Sequence, residues 1–281
     1  MRHCRSVARA PKLTGMNTAP ATATTTGLLA SELHEFRGRG FVVRRGLFPV
    51  EQLDRLRTEI DGLHEAMAKR YALGTEHPGG EDHPQVSWEE GQASGRPPRI
   101  RQLMNSEVVS PILDAMSRDE RLLAIIRDLI GADAMLFHSK LMMKAAHDGA
   151  FTPWHQDFGY WVHESRQPTQ VNCMLAIDAA DAENGALRFV DGTQNDGLIT
   201  HQNFASTSFN WGLPGDIDSK PSTIESMAPG DAVFFGPMVV HGSAPNRSAR
   251  DRRANTFAFD ISNHQLGDQL SPKRWRCGRK V

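Results

Sequence analysis

FTPWHQDFGYWV, residues 151–162, is one of six short β-prone segments that crowd the second half of the chain. β-Branched and aromatic residues dominate it and turn residues bound it, which is the pattern of a strand. Similar segments recur at 135–143, 171–177, 186–190, 232–235 and 255–261. In an extended backbone residues i and i+2 point to the same side, so His155 and Asp157 are expected to converge on one point. One imidazole and one carboxylate so placed make two metal ligands of mixed type.

Upstream of this region the texture is helical. Pro49 opens a segment in which Leu53, Leu56, Ile60, Leu63 and Met67 recur at intervals of 3, 4, 3 and 4 along one helix face. Leu122, Leu123, Ile126, Leu129 and Ile130 make a second apolar stripe over about 119–130, stopped by Gly131. Phe41-Val42-Val43 reads as a short strand. The fold expected is mostly β, with a helical N-terminal third buttressing an antiparallel barrel or jelly roll. Residues 1–28 read as a disordered tail, 29–265 as one domain (helical 29–131, β core 132–265) and 266–281 as a basic C-terminal tail. Residues 74–99 and 201–219 lack apolar period and read as lids; Phe204, Phe209 and Trp211 in the second are placed to close over a substrate.

Composition removes several function classes. The 32 Lys and Arg against 33 Asp and Glu leave no electrostatic case for nucleic acid or an anionic membrane. No apolar run approaches the roughly 18 residues that a bilayer span needs. Cys4, Cys173 and Cys277 are odd in number and far apart, which excludes a disulfide framework and points to a reducing, cytoplasmic setting. A small-molecule substrate is the partner expected, and no feature reports oligomeric state.

A third metal ligand comes from His241, 84 residues beyond Asp157. Two histidines and one carboxylate with open positions form the facial triad of non-haem Fe(II) oxygenases. Ser243 follows His241 by two residues and Arg252 by eleven. An arginine fork on a neighbouring strand pairs well with a carboxylate near the metal, and Ser243 is placed to donate to the same group. A metal triad with an anchored carboxylate describes a 2-oxoglutarate site.

These residues, with Gly40-Phe41-Val42-Val43-Arg44-Arg45-Gly46-Leu47-Phe48, Ala182-Glu183-Asn184-Gly185-Ala186-Leu187 and Pro229-Gly230-Asp231-Ala232-Val233-Phe234-Phe235, resemble the phytanoyl-CoA dioxygenase family over about residues 30–262. The resemblance implies a double-stranded β-helix. It implies Fe(II) held by His155, Asp157 and His241, and 2-oxoglutarate anchored by Arg252 and Ser243 with Lys140 and Met174 lining its pocket. It also implies O2 as oxidant, succinate and CO2 as by-products, and hydroxylation of a small apolar or amphipathic metabolite. Asp157 stands where related halogenases carry a small residue, which favours oxygen insertion over halogenation. Desaturation, ring closure or epimerisation on the same scaffold, or a non-catalytic metal-containing binding protein, are the alternatives. The chain departs from the family at Asp191-Gly192-Thr193-Gln194, where many members carry Pro-Gly-Ser-His, and at Lys144-Ala145-Ala146, where Lys-Pro-Pro is usual. The acid-rich 74–99 stretch (Glu76, Glu81, Asp82, Glu89, Glu90) disfavours a polyphosphate substrate such as a CoA ester. Asn184-Gly185 and Pro229-Gly230-Asp231 are read as structural turns, and the remaining histidines, His138 and His201 among them, as solvated or structural.

Overall fold

The computed structural model describes residues 27–72, 86–89, 99–131, 134–203 and 211–261. Residues 1–26 of the expected N-terminal tail, the C-terminal tail, most of the 74–99 lid, Phe204 and Phe209 lie outside the described residues, while Leu28, read as tail, packs on the core and donates its N–H to Asp128. The helices are α1 (Ala30–Arg39), α2 (Val50–Ala72), α3 (Ser106–Val109), α4 (Pro111–Ser117), α5 (Glu120–Ile130) and α6 (Phe158–Trp161). The strands are β1 (Phe41–Arg44), β2 (Val86–Trp88), β3 (Ile100–Met104), β4 (Ala134–Lys144), β5 (Thr152–His155), β6 (Val171–Ala176), β7 (Leu187–Val190), β8 (Gln202–Asn203), β9 (Trp211–Gly212), β10 (Thr223–Ile224), β11 (Ala232–Phe235), β12 (Val240–Ser243) and β13 (Arg252–Ile261). No helix among the described residues is long and apolar enough to cross a membrane.

A seven-stranded sheet runs β1-β11-β6-β13-β4-β3-β2, and a four-stranded sheet runs β10-β7-β12-β5. Neighbouring strands pair antiparallel throughout. Period-2 alternation divides the large sheet into two faces. Val42, Val171, Cys173, Leu175, Phe234, Phe257 and Phe259 turn outward and pack with Leu53, Leu56 and Ile60 of α2 and Leu122, Ile125 and Ile126 of α5. Phe41, Met174, Ala176, Val233, Phe235 and Ala254 turn inward and meet Leu187 and Phe189 of β7. The molecule is therefore layered as helices, large sheet and small sheet. The jelly-roll core with a helical buttress agrees with the sequence.

Two local expectations need correction. The N-terminal part holds more strand than expected: besides β1, where Phe41-Val42-Val43 reads as a strand, β2 and β3 join the large sheet. The segment 151–162 is not one strand: β5 ends at His155, and Asp157 adopts φ −57°, ψ −34° at the start of α6. Turn hydrogen bonds from Gly159 and Tyr160 back to Gln156 and Asp157 close this helical turn. A β-bulge matters as much. β4 pairs β13 with a register shift between Ala258 and Phe259, opposite His138 and Leu136, so Phe137 is the extra residue. The shift reverses the alternation, and beyond it Lys140, Met142 and Lys144 point into the space between the sheets.

The turn before β11 shows how tightly the layers are joined. Gly230 has φ +92°, and a Cβ there would meet the Phe48 carbonyl oxygen at 2.2 Å. Asp231 beside it accepts from the backbone N–H groups of Gly46 and Ala228 and pairs with Arg45. Gly230→Ala is expected to cost about 2–4 kcal/mol through backbone strain and displacement of the β1 loop. Thermal unfolding checks this, and an unchanged melting temperature would contradict it.

Candidate metal and co-substrate site

His155 is the last residue of β5 and His241 lies on β12. The antiparallel register sets them directly opposite each other, with ring centroids 4.1 Å apart. Asp157 joins them from the turn after β5 rather than from an i, i+2 strand relation. Its Oδ1 lies 3.6 Å from His155 Nε2 and its Oδ2 3.6 Å from His241 Nε2. The metal-binding atoms of the three residues all fall within 4.8 Å of one another, and all three residues are buried.

Backbone carbonyls set the imidazole tautomers. His155 Nδ1 lies 2.8 Å from the Pro153 oxygen, and His241 Nδ1 lies 3.0 Å from the Val239 oxygen. A carbonyl only accepts, so Nδ1 carries the hydrogen and the neutral ring presents its Nε2 lone pair to the other ligands. Burial, reinforced by His155, pushes His241 down to about 4, so this ring is neutral at physiological pH. Burial alone would raise the Asp157 carboxyl. The charge that His241 carries in acid, its neighbour His155 and the Lys140 charge outweigh burial and hold it well below the usual carboxylate range. Two imidazoles that present Nε2 and a carboxylate are able to hold a divalent metal ion with positions left open.

Gln156, between two of these residues, is fully buried and ties both histidine strands together. Its Nε2 donates to the Gly197 and Met238 carbonyls at 2.9 and 2.7 Å, and its Oε1 accepts from the Ile199 N–H at 2.8 Å. Its own N–H donates to His201 Nε2 at 3.1 Å. His201 is thus buried and structural, not solvated, and it stacks with Trp211 of the second expected lid.

The triad opens on a cavity between the two sheets. Every residue that the sequence marks for the co-substrate lines it: Arg252, Ser243, Lys140 and Met174. Lys140, Thr256 and Met174 sit side by side at one register of β4, β13 and β6. Arg252 is buried; its Nη2 donates to the Gly185 carbonyl at 2.8 Å, and its Nε has no hydrogen-bond partner among the described residues. Burial lowers the guanidinium to about 10, which leaves it charged at neutral pH. A buried cation with an orphaned donor, in the same cavity as the triad, fits the carboxylate of a dicarboxylic co-substrate. Gly185 has φ +79°, and a Cβ there would meet the Ala244 carbonyl oxygen at 2.4 Å. The Asn184-Gly185 turn therefore does more than reverse the chain: its carbonyl steers Arg252.

Three further lining residues take positions that the sequence reading did not assign to them. Glu89 belongs to the cavity wall, not to a solvated lid, and burial raises its carboxyl against the Arg101 charge. Lys144 faces Arg252 across the β4–β13 pair. Burial, with Arg252 and Arg101 close by, lowers its ammonium well below its ordinary value. It donates to the Ala150 and Ala244 carbonyls. Asn172 donates to Asp157. No spacing rule marks any of these three: Lys144 and Asn172 are placed by cross-strand register, and Glu89 by the segment that follows β2.

The chain matches the phytanoyl-CoA dioxygenase (PhyH) family over residues 36–254. It belongs to that family and is an Fe(II)/2-oxoglutarate-dependent dioxygenase. Among curated relatives, L-proline trans-4-hydroxylase of Streptomyces griseoviridis is 28% identical over 191 residues, 61% of this chain and 69% of that protein. Ectoine dioxygenase of Bordetella parapertussis is 25% identical over 263 residues, 88% of this chain and 79% of that protein. Among solved structures, EctD from S. alaskensis with 2-oxoglutarate and 5-hydroxyectoine superposes with a TM-score of 0.66 at 17% identity, over 92% of this chain and 84% of that one.

Removing the Gln156 amide breaks three part-buried hydrogen bonds to backbone groups. Gln156→Ala is expected to destabilise the protein by about 2–4 kcal/mol, since each hydrogen bond lost is worth about 0.5–1.5 kcal/mol net. Chemical denaturation measures this directly, and a loss under about 0.5 kcal/mol, the scale of a neutral surface change, would contradict the role given to its amide.

Proposed function

We propose that the enzyme hydroxylates a C–H bond of a small amphipathic metabolite, with His155, Asp157 and His241 as the Fe(II) ligands. Arg252 and Ser243 hold the distal carboxylate of 2-oxoglutarate, and Lys140 and Met174 line the same co-substrate. The observation that carries this reading is the conjunction of three metal-binding side chains within 4.8 Å and a buried Arg252 with an unpartnered Nε in one cavity. When bound, iron with 2-oxoglutarate and O2 supplies the oxidation, and succinate and CO2 leave as by-products.

The protein's own part is orientation and exclusion of water. His155 and His241 present Nε2 because their Nδ1 atoms are committed to Pro153 and Val239. Asp157 supplies the negative charge that a divalent cation requires, and its retention supports oxygen insertion over halogenation. Arg252, steered by the Gly185 carbonyl, meets an anionic group without reorganising. The wall mixes Met142, Leu187 and Phe235 with Gln102, Thr152 and Thr256, a lining suited to a molecule with apolar and polar parts. Two relatives named for small molecules, L-proline and ectoine, support a substrate of that size.

With Fe(II), 2-oxoglutarate and O2 the protein is expected to release succinate, faster when its primary substrate is present. Asp157→Ala should lower turnover by more than about 100-fold, beyond the 10–100-fold typical of residues that only support a ligand. Arg252→Ala should raise KM for 2-oxoglutarate by about 10–100-fold, the equivalent of one charged hydrogen-bonded contact. Wild-type succinate release from Asp157→Ala would overturn the reading.

A further inference from the structure

Asn172 lies on β6, opposite Phe235 of β11 and Ala258 of β13. It is 0% exposed and lines the cavity that holds the triad. Its Nδ2 donates to Asp157 Oδ2 at 2.8 Å. A carboxylate accepts only, so the NH2 end of the amide must face it and Oδ1 must face away. Oδ1 is buried and has no hydrogen-bond partner among the described residues. An amide satisfied at one end only is costly to bury, and a strand flanked by Phe235 and Ala258 would accept Val or Leu at this position without that cost. Packing therefore gives no reason for an asparagine here, whereas the bond to Asp157 does.

Asp157 needs such a partner. It sits in a helical turn outside the strand ladder, so no cross-strand neighbour fixes its side chain. His155 and His241 are held by their strands and by backbone carbonyls, but the carboxylate between them is free to rotate unless something grips it. We propose that Asn172 is a positioning residue that holds Asp157 Oδ2 and thereby fixes the rotamer in which the carboxylate faces both imidazoles; this rests on the metal-site reading above. Asn172 does not itself ligate the metal. It acts through Asp157, as carboxylate partners commonly do at metal sites.

The test uses Mn(II), a redox-inert stand-in for Fe(II), titrated calorimetrically into the wild type, Asn172→Leu, Asn172→Val and His155→Ala. The melting temperature of each metal-free protein is recorded alongside. Both Asn172 variants are expected to bind Mn(II) about 10–100-fold more weakly than the wild type, and His155→Ala not to bind it measurably. Wild-type affinity in a folded Asn172 variant, with His155→Ala silent, overturns the positioning role and leaves the metal site standing. A variant that melts lower but binds with wild-type affinity does the same, because that is the signature of a purely structural residue. Wild-type affinity in His155→Ala overturns the metal-site reading itself, and the positioning role with it. Should Asn172→Leu fail to fold, the smaller Asn172→Val, well suited to a strand, decides the question.

Discussion

The pairing of β12 with β5 governs the site, because it holds His241 against His155 at a centroid distance of 4.1 Å. Two imidazoles this close repel each other strongly when both are charged, so the arrangement favours neutral rings. Backbone carbonyls two residues before each histidine then choose the tautomer. The Asp157 carboxylate, buried beside them, is the negative charge of the cluster. Burial disfavours that charge, and the polar groups that stabilise it, Asn172 among them, are themselves arranged by neighbouring strands. Gln156 locks the geometry by tying the end of β5 to the segment that leads into β12.

The large sheet supplies the other half of the cavity. Its outer face is sealed by α2 and α5, which frees its inner face for polar work. The bulge at Phe137 turns Lys140, Met142 and Lys144 inward. Register then places Lys140, Thr256 and Met174 in one row and Lys144 against Arg252 at the far end. The result is a polarised chamber, with the His155, His241 and Asp157 cluster at one side and Lys140 and Arg252 of the large sheet at the other. A dicarboxylic co-substrate that chelates a metal at one end and needs a cation at the other matches that polarity.

Much of this was legible in the sequence, and the limits have physical causes. The α2 and α5 stripes were readable because a helix repeats its buried face every three to four residues. The strands of the second half were readable from β-branched and aromatic runs between turn residues. His155, Asp157, His241 and Arg252, which share one cavity in the structure, stood out because their residue types and order are chemically restrictive. The geometry joining His155 to Asp157 was misread: a strand period was assumed where the chain turns into α6, and aromatic residues at 158–161 suit either conformation. Asn172 stayed hidden, and Lys144 was noted only as part of a motif, because their meaning arises from register across strands far apart in sequence; Glu89 was read only as one of a run of acids, because nothing local shows that it enters the cavity wall. Gln156 was passed over as a spacer, although its amide makes three hydrogen bonds.

The central claim is that these three side chains hold an Fe(II) ion which 2-oxoglutarate chelates in reach of Arg252. Anaerobic addition of Fe(II) and then 2-oxoglutarate to the metal-free protein, followed by visible absorption, tests it most directly. The account predicts a weak metal-to-ligand charge-transfer band that appears only when both are present, is absent in His241→Ala, and needs more 2-oxoglutarate to saturate in Arg252→Ala. Iron bound with no such band at saturating 2-oxoglutarate would contradict it.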